Sequence, residues 1–209
     1  MDSELPPLPD DLGDASNVFL LSPSLGGWTS QACMSLASAT PPDETNLMAV
    51  SFTRQLDDWL DDWDELVDAP RPAQMVYISI GNSMRGSVGE KGQIELDGGR
   101  IMVESVQGGG NLTRIGVAIS KYLSDWQNED RSVAFCFESI TPMLHYMEAQ
   151  QVYRFLHQLT GQVKAMDAIG HYHMDPNAHD EVEIPRFKTL FDAVVRPDEN
   201  GEWTVEARH

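Results

Sequence analysis

Asn17-Val18-Phe19-Leu20-Leu21-Ser22-Pro23-Ser24-Leu25-Gly26-Gly27-Trp28-Thr29 is the stretch that decides how this chain is read. Val18 to Leu21 is an unbroken apolar run, the pattern of a strand covered on both faces rather than on one. Pro23, Gly26 and Gly27 then punctuate a turn, and sequence compatible with a helix follows. Strand, turn and helix in that order form the opening of a parallel β-α unit.

The same grammar recurs outward along the chain. Short apolar runs predict strands over 17–22, 46–52, 75–80, 133–138, 168–173 and 192–196, with an edge strand over 202–206. Between them, Leu56, Trp59, Leu60, Trp63 and Val67 recur at helical spacing, while Asp57, Asp58, Asp61, Asp62, Asp64 and Glu65 take the remaining positions. That helix has an acidic outer face, which reads as a solvated surface rather than a cation site. Leu112, Ile115, Ile119, Tyr122, Leu123 and Trp126 form a second apolar stripe. Thr141-Pro142 opens a third helical region reaching Met166, with Thr141 as cap and Pro142 in the first turn. Residues 1–16 are acidic and Pro-rich and read as a flexible tail, so order is expected from Asn17, and residues 17–209 form one domain. Residues 81–110 are Gly-rich and read as a mobile insertion holding one short strand at Ile101-Met102-Val103. The fold expected is α/β, with a mainly parallel sheet between helices in three layers.

Composition bounds the partners. The chain carries 33 acidic and 14 basic residues, a net charge of -19. A surface of that sign repels nucleic acid and anionic membrane. Acid-rich, lysine-poor sequence that keeps core-like apolar spacing points to a salt-adapted cytosol, and a haloarchaeal source is the reading preferred. The first residues are acidic where a signal peptide needs a basic region, and no apolar run approaches the roughly 20 residues that span a bilayer. A cytoplasmic protein is expected. Cys33 and Cys136 have no CxxC spacing and read as buried thiols, with neither a disulfide framework nor a cysteine zinc site indicated.

Ser22 to Thr29 has the length of the phosphate loop G-x-x-x-x-G-K-[ST], but Ser22 stands for the first Gly and Trp28 for the Lys. Val133-Ala134-Phe135-Cys136-Phe137-Glu138 reads as a buried strand ending in an acid. Phe137-Glu138-Ser139-Ile140-Thr141, then Val152 to Leu159, then Phe191-Asp192-Ala193-Val194-Val195 resemble the KaiC-like branch of the RecA-type P-loop proteins, and the likeness spans most of residues 17–197. More closely, the chain looks like a haloarchaeal group of uncharacterised RecA-like proteins. The resemblance implies a RecA-like three-layer fold, a vestigial nucleotide site at Gly26, Gly27, Thr29 and Glu138, and protein contacts with itself or with an active RecA/KaiC-like paralogue.

Against that pattern the chemistry has gaps. The resemblance places a water-activating acid after the second strand, where Thr53 and Arg54 stand here. Trp28 offers one neutral donor in place of a charged amine. Pro23 removes a backbone donor from the loop. These changes argue against ordinary ATP hydrolysis and for a pseudo-ATPase without catalytic residues, acting as a regulatory or signalling protein. Arg54 or Arg114 is a candidate to replace the lost positive charge. A nucleotide sensor that binds without hydrolysing is the second reading.

The third reading comes from His171, His173, Asp175 and His179. The first two sit two apart on a strand and share a face, and the others follow at its C-terminal end. Three imidazoles and a carboxylate form a candidate divalent-metal site, with Glu138 as general base of a metal-dependent enzyme. The alternatives are that these histidines are structural, or that one of them pairs with Glu138 in a pH-sensitive pocket.

Overall fold

A computed structural model describes residues 12–24, 27–81, 91–96, 99–108, 110–180, 182–197 and 202–207. The described chain is an α/β structure built on a nine-stranded sheet. In chain order the elements are β1 (Asn17–Leu21), α1 (Gly27–Ala37), β2 (Thr45–Ser51), α2 (Leu56–Leu66), β3 (Gln74–Ile80), β4 (Lys91–Leu96), β5 (Gly99–Val106) and α3 (Leu112–Trp126). They continue as β6 (Ser132–Glu138), α4 (Ile140–Tyr146), α5 (Ala149–Ala165), β7 (Ile169–Met174), α6 (Glu183–Lys188), β8 (Ala193–Pro197) and β9 (Trp203–Ala207). The strand order is β4-β5-β3-β2-β6-β7-β1-β8-β9, and only the outermost pairs, β4 with β5 and β8 with β9, are antiparallel.

The apolar runs form the middle of this sheet because both of its faces are covered. Every residue of β1 and β2 is buried. Alternate side chains divide between two cores. On one face Leu20, Leu47, Ala49, Ala134 and Cys136 meet α1 and α2, whose Trp59 and Trp63 stack at 5.5 Å. On the other, Phe19, Phe135, Phe137 and Tyr172 meet α3, α5 and α6 through Ile119, Phe155, Leu156 and Phe187. Gly170 on β7 allows that second layer to sit close: a Cβ there would lie 3.0 Å from Val163 Cγ1.

Three expectations change. The third helical region is two helices, because Met147 and Glu148 are extended. Its cap is Ser139, whose hydroxyl accepts from the Thr141 N–H at 3.2 Å, leaving the Thr141 side chain for tertiary contacts. The described part of the Gly-rich insertion is a hairpin that extends the sheet, since β5 pairs in parallel with β3 along its length and β4 adds antiparallel to β5. Residues 82–90 of that insertion lie outside the described residues. Residues 1–11 of the expected tail lie outside them as well, but order begins before Asn17: Leu12 and Ala15 pack on the core, and Ser16 accepts from the Gly170 N–H at 2.7 Å.

The connections after β1 and β7 part company. From β1 the chain runs through α1 on one face to β2, and from β7 it runs through α6 on the other face to β8. Such a divergence opens a crevice at the C-terminal ends of neighbouring strands, the usual ligand position in open α/β sheets.

Candidate functional site

The crevice holds most of the residues singled out from the sequence, and hydrogen bonds cross it. Ser22 N–H donates to the Met174 carbonyl at 3.3 Å, and the His173 Nε2–H donates to the Ser22 carbonyl at 2.8 Å. Two residues further, Ser24 N–H donates to Asp175 Oδ2 at 2.8 Å. Asp175 also accepts from the Asn177 N–H at 2.9 Å. Burial raises the Asp175 pKa, but these two amides outweigh it and hold the carboxyl below its ordinary range. Thr29 donates to the Pro23 carbonyl at 2.8 Å and receives the Ser22 hydroxyl at 2.8 Å, so its oxygen serves the turn itself. Gly27 is the first residue of α1, and Gly26 lies outside the described residues.

A second group sits at the same edge, above β2 and β6. Ser51 is the register partner of Glu138, which brings Arg54 to the end of β6. The Arg54 guanidinium donates to Glu138 Oε1 at 3.1 Å, to the Asp58 carbonyl at 2.8 Å, and to the Asp62 carboxylate. The Tyr77 hydroxyl donates to the Arg54 carbonyl at 2.7 Å and fixes the backbone there. Burial first, then the charge of Cys33, pushes the Glu138 carboxyl up to about 7 against the pull of Arg54. Arg54 therefore does bring positive charge to this centre, but Glu138 and Asp62 already neutralise it. Arg114 does not come there; it is the second residue after the start of α3, where its N–H is capped by Asn111.

The four-ligand metal site expected from His171, His173, Asp175 and His179 does not assemble. His171 and His173 share a face of β7, as their spacing requires. However, His173 is spent on Ser22 and Asp175 on Ser24. His179 lies between Glu183, 3.1 Å from its Nδ1, and the Thr141 hydroxyl, 3.0 Å from its Nε2. A carboxylate only accepts, so Nδ1 carries the proton and Nε2 receives the Thr141 O–H. Thr141 Oγ1 in turn accepts from the Asp175 N–H at 3.0 Å, which ties this histidine into the same closure. Among the described residues Arg54 is the hydrogen-bonded partner of Glu138, and His171 acts on it through charge without a bond.

His171 has different neighbours. Its ring nitrogen and the sulfurs of Cys33 and Cys136 all lie within 4.8 Å of one another, and all three residues are buried. Cys136 and His171 are register partners on β6 and β7, and α1 lays Cys33 over them. The hydrogen bond from Cys136 pulls the Cys33 thiol well down and pushes the Cys136 thiol well up. Sequence reasoning missed this group. The signal present was that Cys136 and His171 each occupy a covered strand position, but nothing local places Cys33 above them.

A wide groove of the described surface lies elsewhere. It lies between α3 and α5 on the opposite face of the sheet, has a volume of about 940 Å³, and is lined by residues including Asn111, Gly116, Ser120, Arg154 and Gln158.

A solved structure of a protein from Pyrococcus horikoshii OT3, described as a structural study, is similar to this chain with a TM-score of 0.59 and 7% identity over 92% of this chain and 86% of that one. Similar solved chains number 134, and at such identity the likeness shows architecture alone, because one fold carries many chemistries. No curated protein matches the chain. Residues 15–197, from the segment entering β1 to the end of β8, match the family of unknown function DUF7504, and the chain belongs to that family.

Proposed function

We propose that this chain is a non-catalytic RecA/KaiC-like regulatory or signalling protein, a pseudo-ATPase that acts through protein contacts with its nucleotide site closed by its own side chains. The observation that carries the reading is the Asp175 carboxylate on the Ser24 N–H. In a phosphate loop such amides face an anionic ligand. Here an internal anion of the same sign holds the donor, and Thr29 is turned inward on Pro23 and Ser22.

Three further observations support it. The acid that the resemblance assigns to magnesium, Glu138, is held by Arg54 at 3.1 Å. Only β7 separates the strand leading into the turn from the strand ending in Glu138, so the two motif ends lie one strand apart at the same end of the sheet, an order compatible with a RecA-like reading. Beside polar groups such as Ser24, Asn177 and Asp180, the connections leaving β1 and β7 expose two large apolar side chains: Trp28 is 44% exposed and Val182 81%. Side chains of that kind suit contact with another protein better than contact with a polyphosphate.

Calorimetric titration with MgATP in molar salt tests the closed site, with no saturable heat and no released phosphate expected. Saturable MgATP binding without hydrolysis overturns the closure and establishes a nucleotide sensor instead. For the regulatory role, the chain is added to an active RecA/KaiC-like ATPase of the same cell. A change in that enzyme's rate, reduced in Trp28→Asp, is expected; an unchanged rate with every such paralogue refutes it.

A further inference from the structure

We infer that Cys33, Cys136 and His171 form a zinc site inside the layer between α1 and the sheet. This is separate from the reading above and does not rest on it. The three ligand atoms already lie within 4.8 Å of one another. Bonds of about 2.3 Å to sulfur and 2.0–2.1 Å to nitrogen in a tetrahedral arrangement bring ligands to about 3.8 Å or less, so closure needs contraction of at most about 1 Å. The residues come from α1, β6 and β7, elements that hold their positions better than loops do.

A second observation points the same way. His171 is 1% exposed; its ring bonds Cys33, yet its Nε2 has no hydrogen-bond partner among the described residues. A buried ring nitrogen in that state is costly, and a metal bond made through Nε2 satisfies it. Both cysteines are free thiols and equally buried.

The donor set selects the ion. Two thiolates and an imidazole favour a soft or borderline cation over magnesium or calcium. Zinc and copper(I) share that preference, and charge separates them. Zn²⁺ on two thiolates and a neutral imidazole leaves a neutral centre. Copper(I) on the same two thiolates leaves a net negative charge in a buried layer beside Glu138, which costs more. Three protein ligands leave one zinc position open.

The test uses the whole chain, without a histidine tag, expressed with added zinc and analysed for metal and thiols. The expected result is about one zinc per chain, with both thiols shielded from a disulfide reagent until a chelator removes the metal. Cobalt exchanged into the site gives a sulfur-to-cobalt charge-transfer band. Cys136→Ser and His171→Gln lose stoichiometric zinc, while His179→Gln keeps it. If the buried variants fail to fold, the shielding and cobalt spectrum of the unaltered chain decide alone. No retained zinc with freely reactive thiols overturns the proposal. So does copper(I) in its place, and so does a Cys33–Cys136 disulfide.

Discussion

Replacing Arg54 with Met leaves the Glu138 carboxylate without its cation in a place where water reaches it poorly. The Arg54 and Glu138 side chains are 16% and 12% exposed. Removing one partner of a pair this buried costs about 3–5 kcal/mol, mostly from the stranded charge rather than the lost attraction. For a chain of this size each kcal/mol moves the midpoint by about 2–4 °C, so a fall on the order of 10 °C is expected. Glu138→Gln in the same chain removes the stranded charge and is expected to recover most of the loss, which a double-mutant cycle reads as coupling. The assay is thermal and denaturant unfolding followed by circular dichroism, in molar salt with a chelator present. The dependence on pH has a definite sign. Glu138 holds its proton up to about 7 in the folded chain, against 4.5 ordinarily. Its contribution to stability is therefore full below about 4.5 and is lost as pH rises through 7. Without Arg54 the folded carboxyl keeps its proton to still higher pH, so Arg54→Met costs less at pH 6 than at pH 8.5. A loss below about 1 kcal/mol at pH 8.5, or no recovery with Glu138→Gln, would show a solvent-screened pair and refute the reasoning.

Other outcomes follow from packing and charge. Gly170→Ala is expected to destabilise by about 1–3 kcal/mol, because the added Cβ meets Val163 Cγ1 at 3.0 Å and Tyr172 Cε2 at 3.3 Å; an unchanged denaturation midpoint would show that α5 can move off β7. Raising KCl from about 0.1 M to several molar is expected to raise the melting temperature, since a net charge of -19 repels itself and salt screens it. A melting curve independent of salt contradicts that.

Much of the fold is local and therefore legible in residue order. Val18 to Leu21, Leu47 to Val50 and Val133 to Phe137 read as strands covered on both faces because no polar residue interrupts them, and each is a strand of the sheet centre. The Trp59–Trp63 face of α2 follows from a period of 3.6, and the shared face of His171 and His173 from a period of two. The break at Met147 was hidden because helix-compatible residues continue through it. The β4–β5 hairpin was hidden because a Gly-rich stretch carries little pattern.

The site divides differently. Sequence by itself determined which groups the strand ends carry: Ser22, Glu138, His173 and Asp175 each sit where a parallel strand stops. It did not determine what those groups meet. Glu138 finds Arg54 because β2 pairs with β6 across 84 residues of chain, and Asp175 finds Ser24 across 151. Cys33 finds Cys136 and His171 only because α1 packs across β6 and β7. Strand order and helix docking are set by burying apolar surface over the whole sheet, a global sum that no local pattern encodes. That is why the tertiary structure alone decided that the turn after β1 is closed by an internal carboxylate and that two cysteines far apart in sequence share one histidine.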